Sequence, residues 1–327
     1  MSGTRSRPAP GAPGVDARWT SSAKCGIGTT IGSAGRVAFT LSHGILNEIY
    51  YPRIDQACTR DMGLIVTGPD DYFSEEKRHT SSYVTTMGDG IPAYRLVNTA
   101  RDGRYRITKE VVADPHRETV LQRVRFEALK GNRSDYRLFA LLAPHLENGG
   151  NDNTALVAEF KGTPLLAAQK EEIALAMACD IPWIARSVGY VGVNDGWQQL
   201  RAHGSLHDEW TSAGPGNVAL TGEISLDADA PFVIAIAFGR GTSEAGHRAV
   251  ASLYDGFDAA VRGYCDGWAR WQDTMHPPAL PVDGGRDLFR ISTAVLKCHE
   301  SARFPGGVIA SLSIPWGASK GDGDLGG

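Results

Sequence analysis

Hydrophobic and polar residues change rhythm once along this chain, near Ser243. Before that point, short apolar runs either alternate in polarity or run continuously, with turn residues between them. Arg36–Leu41 and Gly44–Tyr51 are two such runs, the second closed by Pro52. Arg104–Val112 alternates with period two and stops at Asp114-Pro115, and Thr119–Phe126 alternates again. Asp135–Ala143 is more continuously apolar, as in a strand covered on both faces. Phe232–Phe238 is the most apolar run and is expected in the middle of a sheet. Asn148-Gly149-Gly150, Asp195-Gly196 and Gly214-Pro215-Gly216 read as turns between strands. Many short strands without helices between them predict a mainly β fold, a large antiparallel sandwich.

From Ser243 onward the apolar period becomes helical. Phe257, Val261, Tyr264, Cys265, Trp268 and Trp271 fall on one face of a helix of about five turns. Pro277-Pro278 ends it, because proline cannot continue the backbone bonds. A second helix places Leu288, Ile291, Val295 and Cys298 on one face and stops at Phe304-Pro305. Both faces need partners; left uncovered, they promote association.

Composition narrows the possibilities. At 327 residues the chain exceeds the size of a single growing core, so one large domain plus part of a second is expected. A net charge of −4 offers no basic field to nucleic acid or anionic lipid. No apolar run approaches the roughly 18 residues of a membrane helix. Met1–Gly14 is rich in Pro, Gly and Arg and lacks the apolar segment of a secretory signal, so it reads as a disordered leader on a cytoplasmic chain. Cys25, Cys58, Cys179, Cys265 and Cys298 are scattered, without a C-x-x-C pair or a nearby histidine cluster. They read as buried thiols, and neither a metal nor a cofactor is expected.

Candidate chemistry is sparse. Gly26–Gly32 has the wrong spacing for a dinucleotide loop and reads as a glycine-rich turn. Glu75–His79 reads as a solvated charged loop. His145 and Glu147 follow an apolar strand, and Trp197 follows a turn. Each could touch a sugar, but backbone bonding for the histidine and packing for the tryptophan are the simpler readings. Ser311–Gly327 is a polar, glycine-rich stretch in which Trp316 precedes Asp322 and Asp324. An aromatic face that stacks on a sugar ring and carboxylates that bind its hydroxyls make these three the candidate substrate-binding residues.

These last residues, Ile309 to Gly327, closely resemble a segment of the bacterial glucoamylases and glucodextranases of glycoside hydrolase family 15. Gly11–Lys24, Gly44–Asp55, Phe73–Arg78 and Gly192–Trp197 resemble the same family, so the likeness spans essentially the whole chain. It implies a mutarotase-like super-β-sandwich over 15–250, a helical linker over 251–284, and the start of a truncated (α/α)6 catalytic barrel over 285–327. It also implies an inverting exo-hydrolase that releases glucose from α-glucan or oligosaccharide ends. One glutamic acid would protonate the leaving oxygen while a glutamate activates water. Neither glutamate matches a position of this sequence, Glu75, Glu147 and Glu300 included, so no catalytic residue is assigned and the chain alone is expected to be inactive. Gly323 departs from the family pattern, in which an acidic residue often stands there. The alternative is a non-catalytic carbohydrate-binding or scaffold sandwich, with His145, Glu147 and Trp197 as its candidates.

Overall fold

A computed structural model describes residues 7–32, 34–276 and 287–315. The strands in chain order are β1 (Gly26–Thr29), β2 (Ala38–Ser42), β3 (Ile45–Tyr50), β4 (Thr59–Gly68), β5 (Tyr72–Glu75), β6 (Thr80–Gly88), β7 (Ile91–Ala100), β8 (Tyr105–Ala113) and β9 (Thr119–Ala128). They continue as β10 (Arg137–Pro144), β11 (Asn153–Phe160), β12 (Thr163–Lys170), β13 (Ile173–Cys179), β14 (Trp183–Tyr190), β15 (Ser212–Gly216), β16 (Val218–Ile224) and β17 (Phe232–Gly239). One short helix, α1 (Glu76–His79), lies between β5 and β6, and another, α2 (Gly196–His203), follows β14. Three longer helices close the described chain: α3 (Thr242–Asp255), α4 (Phe257–Gln272) and α5 (Leu288–Cys298).

The strands form two antiparallel sheets. One has eight strands in the order β1-β2-β3-β4-β10-β16-β14, with β5 also on β4. The other has nine, in the order β15-β11-β12-β13-β17-β9-β8-β7-β6. The inward residues of both, such as Leu46, Met62 and Leu142 from the first and Leu96, Ile107, Leu121 and Ile236 from the second, join one core cluster. Strand β17 occupies the centre of the nine-stranded sheet with all eight residues buried, as its continuous apolar run predicts. Its outer side is covered by α3, whose contact face is made of Ala245, Gly246 and Ala249. Small residues there let the helix lie close: a Cβ on Gly246 would stand 3.2 Å from Leu165 and Phe160.

Helix α4 runs beside β7 and β8. It buries Phe257, Tyr264 and Trp268, the face read from the sequence. Its polar tips are satisfied too: Tyr264 donates to the Pro92 carbonyl at 3.0 Å and Trp268 Nε1 to the Thr29 carbonyl at 2.9 Å. Helix α5 buries only part of the face expected, Cys298 with Ile291 half-buried, and adds Ala294 to it. Ala294 and Cys298 are buried against β1 and β7, whereas Leu288 and Val295 are exposed.

Three other expectations need correction. Residues 7–14 are not a disordered leader but a segment stitched to the sandwich. Ala9 N donates to the Ser212 carbonyl at 2.8 Å, Asn217 N donates to the Pro13 carbonyl at 2.8 Å, and Arg7 lies over the Trp210 ring. Gly26–Thr29 is a strand rather than part of a turn, and its glycines make room for aromatics: a Cβ on Gly28 would stand 2.4 Å from the Phe39 ring. The charged run Glu75–His79 is not a solvated loop: it holds α1, where the chain crosses from the eight-stranded to the nine-stranded sheet, and Glu76 and Lys77 are buried. All five cysteines are unpaired; Cys58, Cys179 and Cys298 are buried, Cys265 half-buried and Cys25 exposed. No described helix is long and apolar enough to cross a membrane.

Candidate functional site

The outer face of the eight-stranded sheet carries a cleft of about 350 Å³. Strand alternation makes its floor. In β10, Leu138, Ala140 and Leu142 are buried in the core, while Leu141 and Ala143 line the cleft. Register places Gly63 of β4 opposite Leu141, and Ile45 and Ala219 extend the same surface. Gly63 has no side chain to fill the floor; a Cβ there would meet Ile45 only at ordinary contact distance, 3.5 Å.

One wall comes from α2. Asp195 begins this helix, its carboxylate accepting from Trp197 N at 2.8 Å, Gln198 N at 3.3 Å and Gly192 N at 2.6 Å. Asp195-Gly196 is therefore a helix start rather than a hairpin turn. The helix packs on the outer sheet face through Leu200, which joins Ile65 and Phe139 in a small separate apolar cluster. Gly196 is required for that approach, since a Cβ would stand 2.1 Å from the Thr221 hydroxyl. Trp197 sits at the cleft edge, its Nε1 donating to Glu75 at 3.1 Å and its ring meeting the Phe73 ring edge-on at 5.6 Å.

The opposite wall is polar. Lys77 of α1 donates to Asp61 at 2.8 Å and to the Thr20 hydroxyl at 2.7 Å. Asp61 also accepts from Thr20 at 2.7 Å and Asn47 at 2.9 Å, and Arg60 lies 3.6 Å from it. Burial alone would raise the Asp61 pKa, but the Lys77 and Arg60 charges outweigh it and hold the carboxyl below its ordinary value. Arg78 pairs with Glu75 at 3.6 Å.

His145 closes the cleft at the end of β10. It is 1% exposed and meets Trp19 edge-on, with ring centroids 4.6 Å apart. Its Nε2–Cδ2 edge lies against Gly150, where a Cβ would stand 2.5 Å from Nε2. Its Nδ1 is buried without a hydrogen-bond partner. Burial, reinforced by the Arg60 charge, pushes its pKa down to about 3, so the ring is neutral near pH 7.

The structure thus brings His145 and Trp197 to one cleft, although they are 52 residues apart in sequence (197 − 145). Glu147 is not among the cleft residues; it turns away in a left-handed conformation at φ 54°, and burial and then Glu171 raise its pKa. Glu300 lies far along the chain, paired with Lys297, whose hydrogen bond lowers its pKa. Trp316, Asp322 and Asp324 lie outside the described residues. The segment leading to them is fixed, with Leu312 buried and the Ser313 carbonyl accepting from Tyr50 at 2.6 Å. Asp61 and Asn217 also line the cleft without standing out in the sequence, and Lys77 stands out there only as part of a charged run. The one clue to Asp61 is the polar opening of β4, Thr59-Arg60-Asp61, ahead of an apolar run.

The carboxylates of the cleft already have partners. Asp61, Glu75 and Asp195 are each committed to a cation, an indole or a helix start. Among the described residues no group of three or more His, Cys, Asp and Glu is placed to hold a metal ion.

The model of glucodextranase domain N matches residues 9–273. A glucoamylase from Clostridium sp. (strain G0005) is 34% identical over 316 residues, which are 96% of this chain and 44% of that protein. The crystal structure of a bacterial glucoamylase complexed with acarbose superimposes with a TM-score of 0.90 at 33% identity, covering 95% of this chain and 46% of that one. The chain therefore spans less than half the length of each of these two relatives.

Proposed function

The chain belongs to the glucodextranase domain N family, and on that premise we propose that it is the N-terminal part of an inverting, exo-acting α-glucoside hydrolase that releases glucose from α-glucan ends. The carrying observation is the fold agreement with a glucoamylase over 95% of this chain but only 46% of that one. In this reading the sandwich braces a barrel that begins after residue 284, and the acid and base glutamates belong to that barrel. Trp316, Asp322 and Asp324 then stand at the near edge of the sugar pocket. The Tyr50–Ser313 bond supports the reading, because it ties the segment before Trp316 to the sandwich. An oligosaccharide ending in α-linked glucose is the expected substrate, in keeping with acarbose in the related glucoamylase.

The 327-residue chain by itself releases no glucose in this account. Its described cleft carboxylates are engaged: Asp61 by Lys77, Glu75 by the Trp197 indole and Asp195 by the start of α2. The test is glucose assay after incubating the purified chain with maltooligosaccharides and with dextran. Release of glucose from either would overturn the assignment of the chemistry to the barrel. Reading the frame downstream of codon 327 tests the other half, since an in-frame barrel sequence is expected and a stop codon there would sink it.

A further inference from the structure

The cleft beside Trp197 plays no part in hydrolysis as proposed above, yet it is built for a ligand. We propose that it binds a single uncharged hexopyranosyl unit, such as the end ring of a gluco-oligosaccharide. The inference does not depend on the chain having hydrolytic activity.

Volume and surface come first. About 350 Å³ lies at the small end of small-molecule sites. The floor, from Ile45, Gly63, Leu141, Ala143 and Ala219, is apolar. A pyranose has C–H faces that suit such a surface and an aromatic neighbour, and a rim of hydroxyls that needs donors and acceptors around it. Trp197 is the aromatic neighbour, and its position is fixed before any ligand arrives. Asp195 holds its backbone N, Glu75 its Nε1, and Phe73 meets its ring. A side chain already ordered loses little freedom on binding.

Charge then selects against ions. The ionisable lining comprises Arg60, Lys77 and Arg78 against Asp61, Glu75 and Asp195, three positive and three negative, which sum to zero. A lining whose formal charges balance sets up no net field to draw in an ion, which favours a neutral ligand.

His145 supplies the remaining observation. Its Nδ1 is buried, unpartnered and part of a side chain that lines the cleft. Buried polar atoms are almost always satisfied, so an orphan on a side chain that lines a cavity is open to a hydroxyl from a ligand or from water. The ring is neutral, so Nδ1 either donates or accepts according to its tautomer. A sugar hydroxyl, both donor and acceptor, serves either tautomer, whereas an unprotonated phosphate oxygen, an acceptor only, serves one.

Calorimetric titration of the 327-residue chain with maltose, isomaltose and inorganic phosphate, followed in parallel by tryptophan fluorescence, tests this. Saturable binding of at least one disaccharide in the millimolar range is expected, with none of phosphate. Trp197→Ala should weaken binding about tenfold, while Trp197→Phe, which keeps an aromatic face, should stay within about threefold. Gly63→Val puts a strand-compatible side chain on the floor and should abolish saturation. Failure of both disaccharides to saturate, saturation by phosphate alone, or unchanged affinity in Trp197→Ala would each overturn the proposal. If Gly63→Val does not fold, the Ala and Phe pair at Trp197 still decides it. Binding is read without turnover, so its failure is separable from that of the hydrolase assignment, which only glucose release reads.

Discussion

Glu76 and Lys77 are neighbours on one turn of helix, and they end in opposite surroundings. Glu76 points between the sheets, where its carboxylate pairs with Lys109 of β8 at 2.8 Å and accepts from Asn98 Nδ2 of β7 at 2.5 Å and Leu64 N of β4 at 3.1 Å. Both ends of that pair are at most 1% exposed. Lys77 points outward and meets Asp61 in the cleft wall, where the carboxylate keeps 19% of its side-chain surface. The same chemical pair therefore does two jobs. Sealed in, it locks two sheets in register through four elements and tolerates no loss of a partner. At the cleft, it sets the charge of a surface that remains open to exchange with solvent and ligand.

The sharpest way to break the contrast is at the sealed pair. Glu76→Ala strands Lys109, whose pKa burial already lowers, and should cost about 3–5 kcal/mol in denaturant melts. Glu76→Leu combined with Lys109→Met should recover most of that loss, because two apolar side chains leave no buried charge. A double variant as unstable as the single one would show that packing, rather than charge, governs the site.

The next effect is on pH. The folded-state pKa of His145 is depressed to about 3, below the unfolded value near 6.5. The unfolded chain then binds the extra proton first, so stability is complete above about pH 6.5 and falls as the pH drops toward 3. From pH 7 to pH 5 the loss should be about 2 kcal/mol, and His145→Asn should flatten it. An unchanged slope in that variant would place the acid sensitivity elsewhere.

Lys77→Met should cost less, about 1.5 kcal/mol, since solvent screens part of the Asp61 pair. Its signature lies at lower pH. Because Asp61 is held below its ordinary pKa, its contribution is present above about pH 4 and is lost as the pH falls through the depressed folded value. The variant should lose that acid limb while keeping the one due to His145. The smallest change is Asp195→Ala, about 1 kcal/mol from the lost helix start, with altered Trp197 fluorescence as the local readout.

Much of the sandwich was legible because its strands obey period two or run apolar from end to end, as β8, β9 and β17 do. The α4 face was legible for the same reason in helical period. What could not be read was the set by tertiary contact. Glu76 and Lys77 look solvated in a run of charges because Lys109 and Asp61, their counter-charges, come from other strands. Asp195-Gly196 has the chemistry of a turn and of a helix start alike, and only Leu200 docking on Ile65 and Phe139 decides between them. His145 and Trp197 look like ordinary packed residues in the sequence, since their shared cleft exists only once β4, β10 and β16 are side by side.

Strand β17 carries a consequence for how the molecule is made. It pairs with β9 on one side and β13 on the other, joining β6–β9 to β11–β13 and β15. Until residue 239 has left the ribosome, β9 and β13 lack the partner that completes them, and each presents an open backbone edge flanked by apolar side chains. The nine-stranded sheet is thus finished late and from its middle, and synthesis that pauses before Gly239 leaves two half-sheets exposed to pairing with other chains.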